Sequence, residues 1–391
     1  MSAYDVAVVG AGPAGSAAAL ALARRGVKVA LLEQQALPRY KTCGGAVVYR
    51  AASLAGLDLS SVTERTCHRA ALYLHDLGHH FVVRRPQPLI AMTMRDRLDL
   101  LLAEAAVQAG ARLLAPCRVR QVASNGRRVR LGTDQGPLWV DFVVAADGAL
   151  GDVPRLAGWH DDRLAIPALE YEVPVDDATL QRFAEEPRFD VGTMPHGYAW
   201  VFPKAAHLSV GVLSTRRGEG ARDLHDQLVR YLALLGIRCS GEVKRHGYVI
   251  PVRRRSGPLV RGRMLLAGDA AGLADPLTAE GISYAIRSGQ LGGEAVAREI
   301  GDEARVRTTY HAGLRREILP DLRSARVLAT LLYERPAMRR WLFGTWGQGL
   351  SEAIADVLLG ARGYRDVWGL AVRSLGRRAM VGPSDRRTVG P

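Results

Sequence analysis

The stretch Val9-Gly10-Ala11-Gly12-Pro13-Ala14-Gly15 lies between strand formers (Tyr4 to Val9) and an Ala- and Leu-rich stretch of helical composition (Pro13 to Arg25), and it leaves the surrounding chain little freedom. Its three glycines meet three separate needs. Gly10 permits a tight turn, Gly12 lets the backbone approach a pyrophosphate, and Gly15 allows the helix to pack closely on the strand. The helix that opens there aims unpaired N–H groups and a partial positive charge at the same point. Val27 to Leu32 supplies the second strand of a βαβ unit, and Glu33 closes that strand 18 residues past Gly15. A carboxylate in that place accepts hydrogen bonds from the adenosine ribose and repels a 2′-phosphate, so the expected nucleotide is FAD or NAD rather than NADP.

With 391 residues the chain has room for two or more domains. Its 48% hydrophobic and 24% charged content excludes a disordered, collagenous or disulfide-scaffold chain. No apolar run approaches the roughly 18 residues of a membrane-spanning helix, and the start MSAYDVAVVG carries no basic leader, which predicts a mature strand and a cytoplasmic protein. Lys plus Arg number 53 against 39 Asp plus Glu, a net +14. Only Lys28, Lys41, Lys204 and Lys244 are lysines, so the excess fits either an anionic partner or arginine-rich codon usage. Half of it lies between Gly301 and Pro391, where 16 Arg face 9 acidic residues, and there the expectation is peripheral contact with a membrane surface. No basic helix or aromatic RNA motif accompanies the charge, so nucleic acid is not an expected partner. Cys43, Cys67, Cys117 and Cys239 form no CxxC pair and are spread too widely for a zinc site, which predicts reduced thiols, and no metal is expected.

The pattern further along predicts a helix from Met94 to Ala109, strands near Arg112 to Val122 and Val140 to Ala145, and a last parallel strand from Arg263 to Ala267. Between Leu164 and Val212 the alternation in Ala168 to Val173, Tyr198 to Phe202 and His207 to Leu213 predicts an antiparallel sheet. From about Glu303 the pattern is helical and includes Trp341, Phe343, Trp346 and Trp368, with a frayed end from Arg377 to Pro391. The expected fold is therefore α/β: a Rossmann-like FAD-binding domain (1–70, 95–160 and 258–302), an inserted antiparallel β-sheet substrate domain (71–94 and 161–257) and a helical C-terminal region (303–391).

FAD runs extended through a domain and needs widely separated contacts, and two such segments favour it over NAD. Asp147-Gly148 directly follows a predicted strand. Gly268-Asp269 ends another, ahead of a helix that opens at Gly281. Asp269 suits ribityl hydroxyls, the N–H groups at Gly281 and Ile282 suit the pyrimidine edge of a flavin, and Arg95 suits a phosphate or ribityl contact.

Together these motifs resemble the flavin monooxygenase superfamily built on the p-hydroxybenzoate hydroxylase fold, over nearly the whole chain. Within it the sequence is similar to the geranylgeranyl reductase family in two places. Lys41-Thr42-Cys43-Gly44-Gly45 matches that family's KxCGG turn, and the run from Pro195 through Tyr198, Trp200 and Phe202 to Pro203 matches its PxxYxWxFP motif. The resemblance implies FAD, with NAD(P)H or another reductant as electron donor. It puts Pro13, Ala14, Gln34, Lys41, Cys43, Gly44, Gly45, Pro276 and Ile282 in the cofactor wall and the sulfur of Cys43 beside the isoalloxazine.

The activity so implied is saturation of isoprenoid C=C bonds on a prenyl diphosphate, a polyprenyl lipid or a prenylquinone. Such a reaction needs a proton source and a dry apolar tunnel beside the hydride donor. Tyr198, Trp200 and Phe202 alternate along a strand, so they share one face and form an aromatic wall for the substrate. Cys43 serves either as a proton relay or as a small side chain that permits close approach of flavin. The same fold also hosts monooxygenases and halogenases. Tyr198 and Phe202 depart from the halogenase WxWxIP pattern. A flavoprotein that passes electrons to a quinone is a further alternative.

Overall fold

The computed structural model describes residues 4–367, residue 217 excepted. The expectations for Trp368 and for Arg377 to Pro391 lie outside the described residues.

Val6–Val9 and Val29–Leu32 are buried at every position, as strands covered on both faces by helices must be. They belong to a six-stranded sheet in the order Val260–Arg261, Met264–Leu266, Phe142–Ala145, Val6–Val9, Val29–Leu32, Arg112–Leu114. All pairings are parallel except that of Val260–Arg261 with Met264–Leu266. Gly10, Glu33, Ala146 and Ala267 each follow the end of one of these strands, so four segments far apart in sequence meet at one carboxyl edge of the sheet. The helices Pro13–Ala23 and Ile282–Glu299 touch through glycine: a Cβ on Gly289 would lie 2.1 Å from the carbonyl oxygen of Ala14, and one on Gly293 2.6 Å from that of Ala18.

A second, seven-stranded sheet has the order Lys244–Arg253, Leu164–Pro174, His207–Leu213, Tyr198–Pro203, Arg188–Val191, Arg69–Leu74, His79–Arg84. It is antiparallel as expected, apart from Arg188–Val191 beside Arg69–Leu74, which run parallel. These two strands are separated in sequence by much of the nucleotide-binding body, so no hairpin dictates their relative direction. Ile90–Thr93 instead joins Ala46–Val48 and Thr63–Cys67 in a small antiparallel sheet. The strand expected over Arg112 to Val122 is two strands in different sheets, Arg112–Leu114 and Val119–Ser124. Pro116, which has no N–H for a ladder, lies between them. Val119–Ser124 continues into Val129–Thr133 and Gly136–Val140 as a three-stranded meander that the sequence reading did not separate.

The C-terminal helices Glu303–Glu317, Leu319–Ala329 and Pro336–Leu359 are integral to both cores. Tyr310 is fully buried and donates to the carbonyl of Leu266 (2.8 Å), while Leu328, Tyr333, Phe343 and Leu358 pack in one cluster with Tyr198 and Trp200. Among the described residues no helix is long and apolar enough to cross a membrane, and no group of three or more His, Cys, Asp or Glu is placed to hold a metal.

Candidate active site

The carboxyl edge of the parallel sheet and one face of the seven-stranded sheet enclose a cavity of about 610 Å3. Its wall includes Gly10, Gly12, Pro13, Ala14, Glu33, Gln34, Lys41, Cys43, Gly44, Gly45, Arg95, Asp147, Gly148, Asp269, Gly281 and Ile282, together with Tyr198, Trp200 and Phe202. Gly15, Gly268, Pro276, Pro195 and Pro203 are not part of it. Gly15 and Gly268 are packing contacts, since a Cβ on the first would meet the Gly10 carbonyl at 1.7 Å and one on the second the Ala14 Cβ at 2.8 Å. Pro276 and Pro203 are buried behind the wall and Pro195 is exposed, so of the residues expected to meet substrate only the three alternating aromatics face the cavity.

The glycine turn forms a slot for an anion. Gly10 has φ +100° and a Cβ there would lie 2.4 Å from the Ala146 carbonyl oxygen, whereas a Cβ on Gly12 would find nothing nearer than the guanidinium nitrogens of Arg39 (3.9 Å) and Arg95 (4.0 Å). Buried Asp99 fixes both arginines, taking Nε and Nη2 of Arg95 at 2.8 and 2.9 Å and Nη1 of Arg39 at 2.9 Å. Burial opposes the charge on Arg95, but Asp99 and Cys43 together outweigh it, so its pKa is raised. Two cations over a glycine turn at a helix N-terminus form a cradle of diphosphate chemistry. Glu33 accepts from the N–H of Ala11 (3.1 Å), the N–H of Gln35 (3.2 Å) and Arg39 (3.1 Å), which leaves one of the roughly four acceptor sites of a carboxylate for a hydroxyl.

Farther along the cavity, Asp147 accepts from the Val153 N–H through Oδ2 (2.8 Å), while its buried Oδ1 has no partner in the protein. Burial lifts its carboxyl to about 6. Asp269 is likewise raised by burial, against the pull of Lys41 and Arg95. Burial, with Arg95 adding to it, lowers the Lys41 ammonium to about 8, and its Nζ sits 3.2 Å from the centroid of the Tyr248 ring. Ala279 has φ +55°, a left-handed conformation that side chains rarely adopt, directly before the helix that Gly281 opens. The orphaned Asp147 oxygen, the Gly12 slot and the remaining acceptor of Glu33 fit the hydroxyls and diphosphate of an extended FAD.

At the other end the turn Lys41 to Gly45 is pressed against the aromatic wall: a Cβ on Gly44 would lie 2.8 Å from the Phe202 ring and 3.2 Å from Trp200 Nε1. Tyr198 and Trp200 have ring centroids 6.0 Å apart, as do Trp200 and Phe202, and Phe189 packs edge-on to Phe202 at 5.2 Å. Tyr198 donates to the Thr278 carbonyl (2.5 Å), and burial raises its hydroxyl pKa. Behind the turn, buried Lys204 donates to the Thr93 carbonyl (2.8 Å), and burial lowers its pKa despite Glu170. Sequence reasoning missed Arg39, Asp99, Glu170, Phe189 and Ala279. Arg39 carried a faint signal as a basic residue shortly after the acidic strand end.

Residues 3–196 match a family model described as an FAD binding domain. Digeranylgeranylglycerophospholipid reductase 2 of Methanothermobacter thermautotrophicus is 32% identical over 317 residues, covering 76% of this chain and 78% of the relative. The chloroplastic geranylgeranyl diphosphate reductase of Nicotiana tabacum is 30% identical over 332 residues (80% and 69%), and the menaquinone reductase of Mycolicibacterium smegmatis 30% over 315 residues (74% and 75%). Among solved structures, a geranylgeranyl bacteriochlorophyll reductase-like protein from Thermoplasma acidophilum superposes with a TM-score of 0.74 at 25% identity, over 84% of this chain and 87% of that one. A cradle that fits a diphosphate at one end of the cavity, an aromatic strand at the other and these relatives along most of the chain agree: the chain belongs to the geranylgeranyl reductase family of FAD-dependent oxidoreductases.

Proposed function

We propose that this chain saturates C=C bonds of an isoprenoid chain, taking the substrate tail into the apolar space beyond Tyr198. One observation carries the reading. The aromatic wall faces the Cys43 turn, and past it a second cavity of about 90 Å3 adjoins the first, sharing Phe189, Tyr198, Thr278 and Leu358 and otherwise lined almost wholly by apolar side chains such as Leu72, Phe81, Leu332 and Ile354. A hydrocarbon tail is the ligand such a space accommodates at least cost. Two of the relatives are named for geranylgeranyl chains that carry different head groups, which makes the chain rather than the head the common element.

Bound FAD, once reduced, supplies the hydride. In this reading Gly12, Arg39 and Arg95 hold its diphosphate, Glu33 a ribose hydroxyl, and Asp147, Asp269 and Lys41 the groups between. Tyr198, Trp200 and Phe202 hold the alkene and exclude water, and the Cys43 thiol stands where a proton is needed. Filling the second cavity tests the tail assignment: Ala355→Trp is expected to raise KM for a twenty-carbon substrate about tenfold, and for a five-carbon one far less. Equal effects on both would place the tail elsewhere. Lys41 gives a pH signature. As pH rises from 7 to 9 its ammonium, near 8, loses its proton beside an anionic ligand, so FAD affinity measured by fluorescence titration should fall, and Lys41→Met should flatten the profile.

Peripheral contact with anionic membrane is the matching proposal for delivery of a lipid-borne substrate. Met338 and Trp341 are 39% and 44% exposed at the start of the last long helix, flanked by exposed Arg335 and Arg340. Because Val306 and Tyr310 are fully buried, point substitution rather than truncation is the test. Arg340→Glu with Trp341→Ala should weaken binding to phosphatidylserine vesicles roughly tenfold. Unchanged cosedimentation would remove this helix from the contact.

A further inference from the structure

Strand register puts Glu170, Gly211, Trp200 and Phe189 in one row across four neighbouring strands. Gly211 contributes no side chain, and the Trp200 ring fills the space above it: a Cβ there would lie 2.1 Å from Cζ2. Leaning this way, the indole N–H donates to Ser209 Oγ (3.4 Å), and the Ser209 hydroxyl donates to Oε1 of Glu170 (2.6 Å). The other carboxylate oxygen, Oε2, accepts the backbone N–H of Cys43 (3.0 Å). Glu170 is only 4% exposed yet lines the cavity. Burial raises its pKa, which the Ser209 hydrogen bond and Lys204 oppose, and Glu172 stands two residues along the same strand. Withdrawing a carboxylate from water is costly unless donors hold both oxygens. Here one oxygen is held by the thiol turn and the other, through Ser209, by the aromatic strand.

We propose that Glu170 is a positioning residue whose carboxylate ties the Cys43 turn to the Trp200 indole, and so fixes where the thiol stands relative to the aromatic wall. That the alkene lies against this wall rests on the function proposed above; the tie itself does not.

Two variants of the full-length, flavin-loaded protein test it, Glu170→Ala and Glu170→Gln. Glutamine keeps the shape, with an oxygen for the Cys43 N–H and an amide that donates to Ser209, whereas alanine removes both contacts. Iodoacetamide labelling of the four free thiols, followed by peptide mass, reads the turn directly. Cys43 is half-buried, Cys239 is exposed and serves as reference, and buried Cys67 and Cys117 report general loosening. In Glu170→Ala, Cys43 should label at least about tenfold faster, the loss of one hydrogen bond to a charged group, with the other three unchanged. Glu170→Gln should return it to within about threefold of the natural protein, because the neutral pair retains most of the contact. With a prenyl substrate, kcat should fall in the alanine variant and recover in the glutamine one, while KM and flavin content hold. An unaltered Cys43 rate in Glu170→Ala, or equal acceleration at Cys67 and Cys117, overturns the proposal. If the natural protein saturates no prenyl substrate, the reaction assignment fails, and the labelling pattern still decides whether Glu170 ties the turn.

Discussion

Gly12→Val is expected to fold and to purify without FAD. The three glycines of the first turn are not equivalent. A Cβ on Gly10 or Gly15 would run into backbone carbonyl oxygen at 2.4 or 1.7 Å, so side chains there damage the fold itself. At Gly12 the space is open up to the two guanidinium groups, and the residue stands before the first helical position with ordinary φ −82°. Valine is a poor N-cap, which costs the helix on the order of 1 kcal/mol, and its branches fill the slot assigned to the diphosphate. Overfilling a packed site costs roughly 1–3 kcal/mol, or about five- to 150-fold in affinity, before the displaced arginine contacts are counted. The ratio of 450 nm to 280 nm absorbance, beside a thermal melt, separates the two effects. A folded and fully yellow Gly12→Val protein would place the diphosphate elsewhere.

Trp200→Ala should keep its flavin and lose turnover on a prenyl substrate by two orders of magnitude or more, the equivalent of about 3 kcal/mol in the transition state. The ring sits between Tyr198 and Phe202, over the bare backbone of Gly211, with the Gly44 edge of the thiol turn against it. Its removal leaves a gap beside the thiol turn and, in the proposed reaction, admits water to the place where positive charge develops on a tertiary carbon. The hydrogen bond and ring contacts of Trp200 go to Ser209, Tyr198 and Phe202 and to none of the residues assigned to the diphosphate or ribose, so flavin content should hold. Stability should fall by about 3 kcal/mol, the low end for a large core residue, because one side of the ring already faces the cavity. Trp200→Phe restores an aromatic face but not the N–H to Ser209, and should recover only part of the rate. Equal turnover by the alanine variant, measured by anaerobic flavin reoxidation, would remove the aromatic strand from the chemistry.

The parts of this site that could be read from sequence are those in which local spacing and topology coincide. Gly10, Glu33, Asp147 and Asp269 each follow a strand of the same parallel sheet, so four short motifs converge without knowledge of any long-range contact. Tyr198, Trp200 and Phe202 share a face because a strand repeats every two residues. Glu170 failed the same rule. Alternation in Leu169-Glu170-Tyr171-Glu172-Val173 sends the acids to solvent, yet Glu170, Tyr171, Glu172 and Val173 are all buried, since helices and the flavin-binding body cover both faces of that strand. The cradle of Arg39, Arg95 and Asp99 joins residues up to 60 positions apart, and no periodicity records such a pairing. Ala279 adopts φ +55° without the glycine or asparagine that advertises a left-handed turn. The parallel placement of Arg69–Leu74 beside Arg188–Val191 follows from how the two bodies dock, which no turn signal encodes.

Reduction of isoprenoid double bonds by the bound flavin is tested most directly without oxygen. The purified flavoprotein is reduced with dithionite, excess reductant is removed, and geranylgeranyl diphosphate or a geranylgeranylated glycerophospholipid is added while flavin absorbance and product mass are followed. Return of the oxidised flavin spectrum together with a gain of two mass units for each bond saturated is the predicted result. A flavin that stays reduced and a substrate of unchanged mass, followed by oxygen uptake matched to an oxygenated product once air is admitted, would contradict it and assign the chain to the monooxygenase chemistry of the same fold.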